Sequence, residues 1–266
     1  MIAASSFPVA LTIAGSDPSG GAGIQADLKT FHQHGVYGTS ALTLLTVQNT
    51  TRVSQVETLP PSLVLSQIAV VLEDLPVRAA KTGALGNEAI VRAVAQQARS
   101  FAFPLVVDPV MVSKHGAPLL PAEAMEAVIR DLLPVAAVLM PNLPEAAAIL
   151  GRHSIHWEDM EATARALLAL GPRAVLLKGG HLLDRSTDLL VTQDSLLWLP
   201  GERVETPHTH GTGCSYSAAI TARLALGEDL PTAAGKAKDW IHRAIKTNPS
   251  LGKGSGPINH FASLEL

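Results

Sequence analysis

The sequence predicts an α/β fold: a three-layer αβα sandwich around a mainly parallel central sheet. Three observations predict it. Short β-rich runs alternate with alanine-rich segments of helical spacing along most of the chain, the pattern of strands joined by crossover helices. The first run, from Val9 to Ala14, is continuous and stops at Gly15, the signature of a buried strand. The chain has 266 residues, 47% hydrophobic and 16% charged, ample for one large core. No linker and no internal repeat divides it, so residues 1–266 are expected to form a single domain.

The elements follow in order. After the first strand comes Gly15-Ser16-Asp17-Pro18-Ser19-Gly20-Gly21-Ala22-Gly23, read as a mobile, polar loop that fits neither the dinucleotide fingerprint nor the Walker phosphate loop. Residues 24–31 have helical spacing, with Ile24, Leu28 and Phe31 on one side. A second strand is expected over 40–47, ending at Gln48-Asn49-Thr50. Pro60-Pro61 opens a helix through Val64, Ile68 and Leu72. A strand over 77–80 ends at Lys81-Thr82-Gly83, and a helix covers 88–99.

The run 105–107 leads into Asp108-Pro109-Val110-Met111 and a loop around Lys114-His115-Gly116. A helix is expected over 122–132 and a strand over 135–140, closed by Pro141-Asn142-Leu143-Pro144-Glu145. Helices over 145–150 and 160–170 follow, the second with Ala164, Leu167 and Leu168 on one face. The strand 174–177 ends at Lys178-Gly179-Gly180-His181. Runs 188–191 and 195–199 read as an antiparallel pair, and helices after Gly211 and over 230–245 close the fold.

In open parallel sheets, ligands bind beyond the carboxyl ends of the strands. The polar clusters at Gly15-Ser16-Asp17, Gln48-Asn49, Lys81-Thr82, Asp108-Pro109, Asn142 with Glu145, and Lys178-Gly179-Gly180 all fall there, so they should converge on one rim. The stretch His210-Gly211-Thr212-Gly213-Cys214-Ser215 joins them. A glycine turn feeding a helix gathers unpaired amides and the positive end of the helix dipole, which hold anions. A cysteine on that first turn would have its thiolate stabilised. Taken alone, the stretch reads equally as a tight turn before a packed helix carrying a buried cysteine.

An anion cradle, carboxylates and a lysine together fit phosphoryl transfer from a metal–nucleotide complex, which needs positioning and charge neutralisation. Asp108 and Glu145 are candidate Mg²⁺ ligands, directly or through water, and Lys178 a partner for a nucleotide phosphate. Singly, Asp108 also reads as a turn residue before proline, Glu145 as a cap of its helix, and Lys178 as a solvated lysine.

Composition excludes other classes. Formal net charge is −3 with no basic stripe, which argues against nucleic acid as the main partner. One cysteine excludes an internal disulfide and fits a reducing cytoplasm. The first fifteen residues lack a basic start and read as a strand rather than a signal peptide. No apolar run reaches the roughly 18 residues of a membrane helix. His208 and His210 lack an obvious third ligand, so no histidine metal site is read.

The loop from Ala14 to Thr30 closely resembles the N-terminal signature of bacterial hydroxymethylpyrimidine/phosphomethylpyrimidine kinases, thiamin-pathway enzymes of the ribokinase-like superfamily. The resemblance continues through Val47-Gln48-Asn49-Thr50, Asp108-Pro109-Val110-Met111, Pro141-Asn142-Leu143-Pro144-Glu145-Ala146, Lys178-Gly179-Gly180-His181 and Thr209-His210-Gly211-Thr212-Gly213-Cys214, nearly the whole chain. It implies a ribokinase-like fold, commonly homodimeric, and phosphorylation of 4-amino-5-hydroxymethyl-2-methylpyrimidine, then of its monophosphate, with ATP and Mg²⁺. It also implies that Gln48 and Asp27 hydrogen-bond the aminopyrimidine, with Gly15, Ala22 and Val110 lining its pocket. Lys178, Asn142, Glu145, Asp108 and Thr209 fall on the nucleotide side, and Gly211, Thr212 and Gly213 face the transferring phosphoryl group. Asp27 reads equally as a surface carboxylate of its helix.

Many ribokinase-like sugar kinases carry an aspartate base after the second glycine, where this chain has Cys214. A thiol ionises at about 8.5 when free and lower at a helix N-terminus, so Cys214 could accept the substrate hydroxyl's proton or chiefly position it. After Lys81 the family often shows Ile-Gly-Met-Leu, against Thr82-Gly83-Ala84-Leu85 here. Ala84 implies a roomier pocket and makes a pyridoxal or pyridoxine kinase of the same superfamily the alternative. A thiol hydrolase using Cys214 with His210 or His208, and a non-catalytic vitamin or nucleotide sensor, are the readings from other classes.

Overall fold

The computed structural model describes residues 7–180 and 186–264. Nine strands form one sheet among these residues: β1 (Val9–Ser16), β2 (Tyr37–Gln48), β3 (Val53–Thr58), β4 (Val77–Thr82), β5 (Leu105–Val107), β6 (Val138–Leu139), β7 (Ala174–Leu177), β8 (Asp188–Thr192) and β9 (Leu196–Leu199). Their order is β3-β2-β1-β4-β5-β6-β7-β8-β9. From β2 to β7 every neighbouring pair is parallel. The three outer pairings, β2–β3, β7–β8 and β8–β9, are antiparallel.

The two sheet faces follow from the two-residue period of the strands. Leu11, Ile13, Leu105 and Val107 face one layer, made by α2 (Pro61–Asp74), α3 (Glu88–Ala98), α4 (Met125–Ala127), α5 (Leu143–Ile149) and α6 (Met160–Leu168). Ala10, Val106 and Val138 face the other, made by α1 (Gly23–Gln33), α7 (Thr212–Ala225) and α8 (Leu230–Lys246). That is the expected three-layer αβα sandwich. Helix α7 lies between α1, α8 and the sheet, with Ser215 to Ala222 all buried. Its small side chains let the backbone approach its neighbours closely, while Tyr216 and Ile220 supply bulk.

Three elements differ from the expectation. Strand β3 is unannounced, because its residues are half-buried or exposed and VSQVET has no apolar face to read. The helix expected over 122–132 is broken into a 3₁₀ turn (Ala122–Ala124), the single turn α4 and a π segment (Val128–Leu132). The strand expected over 135–140 keeps only Val138–Leu139, because Leu133–Val135 forms a 3₁₀ turn around Pro134. Proline lacks the amide a ladder needs. Helix α5 starts as its sequence dictates: Asn142 Oδ1 accepts from the Glu145 amide at 2.8 Å and Glu145 Oε2 accepts from the Asn142 amide at 2.8 Å. This reciprocal capping box realises the capping role for Glu145.

Candidate active site

The strand-end clusters and the Gly211 loop line one cavity of about 900 Å³, except Lys81-Thr82, which the sheet and its helices bury completely behind the wall. Its floor is two glycine turns in backbone contact. Asp17, 1% exposed, organises the first. Its carboxylate accepts from the Ser19 amide and hydroxyl (2.8 and 2.7 Å), from the Gly21 and Ala22 amides (3.1 and 2.8 Å), and pairs with His210 Nε2 at 2.8 Å. The loop read as mobile is therefore tied down at five points. Burial alone would raise the Asp17 pKa, but the bonds from His210 and Ser19 outweigh it and hold the carboxyl well below the usual range.

Gly211 caps α7 in the left-handed region at φ 77°. A Cβ there would lie 1.7 Å from the Gly21 carbonyl oxygen, so only glycine allows the two turns to meet. Gly211, Thr212, Gly213 and Cys214 follow along the cavity wall, and Thr212 Oγ1 donates to the Thr209 carbonyl at 2.8 Å. Cys214 is half-buried on the first turn of α7, as expected, but its thiol is not acidified. Burial pushes it up to about 11, against the opposing pull of Lys81. Desolvation of the thiolate outweighs the helix end.

Asp108 and Lys178 meet beside this turn. Lys178 Nζ lies 2.8 Å from Asp108 Oδ1, and Ser217 Oγ donates to Asp108 Oδ2 at 3.2 Å. A Cβ on Gly213 would sit 3.6 Å from Lys178 Nζ and 3.7 Å from Asp108 Oδ2, so the pair abuts the turn's backbone. Glu145 Oε2 is 3.9 Å from Lys178 Nζ. Burial raises its pKa to about 7 even against that ammonium, which marks a carboxylate short of positive charge. Lys178 is thus largely buried and paired, not solvated, and Asn142 is the helix cap beside it. Among the described residues no group of three or more His, Cys, Asp or Glu side chains could hold a metal. Two oxygen donors fit Mg²⁺, which keeps most of its water and takes few protein carboxylates.

Gly15, Ala22, Gln48, Ala84 and Val110 also line the cavity. The Gln48 amide makes no hydrogen bond among the described residues, whereas neighbouring Asn49 is spent on its own turn. Thr43 Oγ1 donates to the Ala84 carbonyl at 2.6 Å and fixes that wall. Thr209, Asp188, Lys238, Ile241, His242 and Ile245 line the cavity too. Lys238 and Asp188 pair at 2.7 Å, and Asp188 Oδ1 also accepts from the Gly179 amide. Sequence reasoning missed these two, since a lysine inside a surface-type helix pattern carries no signal of burial. His181 lies outside the described residues.

Asp27 is the residue the structure moves away from its expected place. It is fully buried behind the cavity wall, paired with Lys81 Nζ at 2.7 Å and accepting from Thr12 Oγ1 at 2.6 Å. It is neither on the ligand wall nor on the helix surface.

A family model described as phosphomethylpyrimidine kinase matches residues 17–259. The chain belongs to this family. A relative from Haemophilus influenzae named hydroxymethylpyrimidine/phosphomethylpyrimidine kinase is 45% identical over 262 residues, 96% of this chain and 97% of its own length. Among solved structures, phosphomethylpyrimidine kinase from Clostridium difficile superposes with TM-score 0.79 at 42% identity, covering 89% of this chain and 99% of that one. Pyridoxal kinase from Staphylococcus aureus in complex with AMP-PCP and pyridoxal gives TM-score 0.89 at 35% identity, covering 97% and 95%. The ribokinase-like resemblance of the sequence and its kinase reading are both met. Among the described residues of this kinase, no helix is long and apolar enough to cross a membrane.

Proposed function

We propose that the enzyme transfers the terminal phosphoryl group of ATP to 4-amino-5-hydroxymethyl-2-methylpyrimidine, and then a second one to the monophosphate. The observation that carries this reading is the Asp108–Lys178 pair abutting the Gly211–Gly213 turn, in the cavity that also holds the uncommitted Gln48 amide. Gln48 can donate to a ring nitrogen and accept from an exocyclic amine. Gly15, Ala22, Ala84 and Val110 then enclose the ring, and the hydroxymethyl group faces Cys214.

Phosphoryl transfer is catalysed by placement and charge. The amides of the Gly211–Gly213 turn and the end of α7 hold the charge spread over the moving group. Lys178, kept in line by Asp108, faces the same group. Asp108 and Glu145 would hold Mg²⁺, which neutralises nucleotide phosphates when bound. Asn142 keeps Glu145 in place through the capping box. Thr209 and the apolar slot of Ile241 and Ile245 take the nucleotide. Cys214, a thiol at neutral pH, holds the acceptor hydroxyl in line rather than removing its proton in advance, as a loose transition state permits. For the second transfer, Lys114 is a cavity-lining cation with no carboxylate partner among the described residues, suited to a phosphate-bearing acceptor.

A second reading, phosphorylation of pyridoxal, is favoured by Ala84, which leaves room over the ring. The enzyme is expected to work in the cytoplasm as a homodimer. Tyr37, Leu45 and Val47 on β2 are 60%, 43% and 56% exposed and offer an apolar surface for a second copy. Coupled ADP release with each alcohol tests the substrate. Turnover of the pyrimidine supports the proposal, and turnover of pyridoxal alone replaces it.

A further inference from the structure

The Lys81–Asp27 pair is the most enclosed charged unit described, and the reaction above does not use it. Both side chains are 0% exposed. Lys81, on β4, reaches Asp27 of α1 at 2.7 Å and the Cys214 carbonyl at 3.3 Å. Thr12 of β1 holds the other carboxylate oxygen at 2.6 Å. One ammonium thus joins two adjacent strands and a helix to the first turn of α7.

A buried ion pair is poor value as a stabiliser, because desolvating both charges offsets most of their attraction. Replacing such a pair with apolar side chains of similar volume is often neutral or stabilising. What the pair supplies is a fixed anchor at the turn where Cys214 and the anion-holding amides sit. The Ser217 hydroxyl lies within reach of both the Cys214 carbonyl (3.0 Å) and Asp108 Oδ2 (3.2 Å), and its single proton serves one of them at a time.

We propose that Lys81, held by Asp27, is a positioning residue that sets Cys214 and the first turn of α7 for transfer. The ammonium grips the carbonyl from behind the turn and so holds the backbone that carries Cys214 and the anion-holding amides. Lys81, Asp27 and Asp108 are the charges that act on the thiol. Of the three, Lys81 acts most strongly and pulls its pKa down, while the two carboxylates push it up. This role rests on the kinase reading for its effect on rate, but its effect on the thiol does not.

Cys214 is the only cysteine in the chain, so alkylation by iodoacetamide reads that thiol alone. The double variant Lys81→Met/Asp27→Asn removes both charges and keeps the volume and the acceptor for Thr12. The expected result is a thermal midpoint close to the parent's, and kcat lower by about 10–100-fold with KM within about threefold. The alkylation profile of Cys214 should also move to higher pH. Unchanged kcat overturns the proposal, as does a loss of kcat that follows loss of folded protein while alkylation of the folded fraction stays as in the parent. If the double variant does not fold, Asp27→Asn alone weakens the anchor and should lower kcat by about fivefold or more at constant KM; parental kcat overturns the proposal. Should the parent fail to phosphorylate the pyrimidine, the pyrimidine reading fails by itself, and the alkylation shift still decides the link from Lys81 to Cys214.

Discussion

His210 Nε2 lies 2.8 Å from Asp17 Oδ2, and this contact joins the glycine turn after β1 to the Gly211–Gly213 turn that opens α7. Asp17 also carries four bonds within its own loop. Asp17→Ala should therefore harm both ends of the site, raising acceptor KM and lowering kcat together. Losing charge-assisted bonds costs about 1.5–3 kcal/mol each before rearrangement. Steady-state kinetics with thermal melting checks this; a variant that changes neither would show the two turns to be independent.

Gly211→Ala should be the most damaging single-atom-scale change. The left-handed backbone costs alanine about 1–2 kcal/mol, and the Cβ would strike the Gly21 carbonyl. The variant is expected to melt well below the parent and to lose nearly all turnover.

Cys214→Ala should cut turnover by one to a few orders of magnitude, while Cys214→Ser, which still positions a hydroxyl partner, should retain more. With the thiol pushed up to about 11, no step in the pH profile of kcat is expected at the ordinary thiol value of about 8.5. The unfolded chain releases this proton first as pH rises, so stability falls between about 9 and 11 in the parent and less in Cys214→Ala. A kinetic step near 8.5 that disappears in Cys214→Ala would restore the early-base role.

Acid should unfold the protein through buried neutral histidines. Burial, aided by the charge of Arg223, holds His34 down to about 3, and burial holds His260 down to about 4. Both lie below the free value of 6.5, so the unfolded chain takes up protons that the folded chain refuses. Stability is present above pH 6.5 and drains away as pH falls towards 3–4. Asp17, held below the usual carboxylate range, adds its loss at the acid end. His34, edge-on to Trp240 with ring centroids 5.0 Å apart, makes no hydrogen bond with either ring nitrogen. His34→Phe should flatten the melting curve against pH between 4 and 6.5.

Ala84→Met should narrow the acceptor pocket. The expected outcome is a rise in pyridoxal KM of about tenfold, with pyrimidine KM changed less, because adding bulk to a fitted pocket costs about 1–3 kcal/mol. Lys114→Ala should raise KM for the monophosphate more than KM for the alcohol, which product separation in the two half-steps measures.

The rim was legible because strand ends announce themselves. Gly15, Gln48, Asp108, Asn142 and Lys178 each follow an apolar run, and parallel topology brings such ends together. What burial does to those groups was hidden. Nothing local tells that the helix-end thiol of Cys214 would be made less acidic, or that Asp27 would turn inward to Lys81. The first follows from burial, which outweighs the pull of Lys81, and the second from a lysine 54 residues away in sequence. Strand β3 was hidden for the opposite reason, since an exposed edge pairing needs no apolar pattern.

The most direct test of the account is to incubate the protein with 4-amino-5-hydroxymethyl-2-methylpyrimidine, ATP and Mg²⁺, and to resolve the products by anion exchange. The account predicts the monophosphate first and then the diphosphate, with ADP released at each step. ADP-coupled product from pyridoxal and none from the pyrimidine would contradict it.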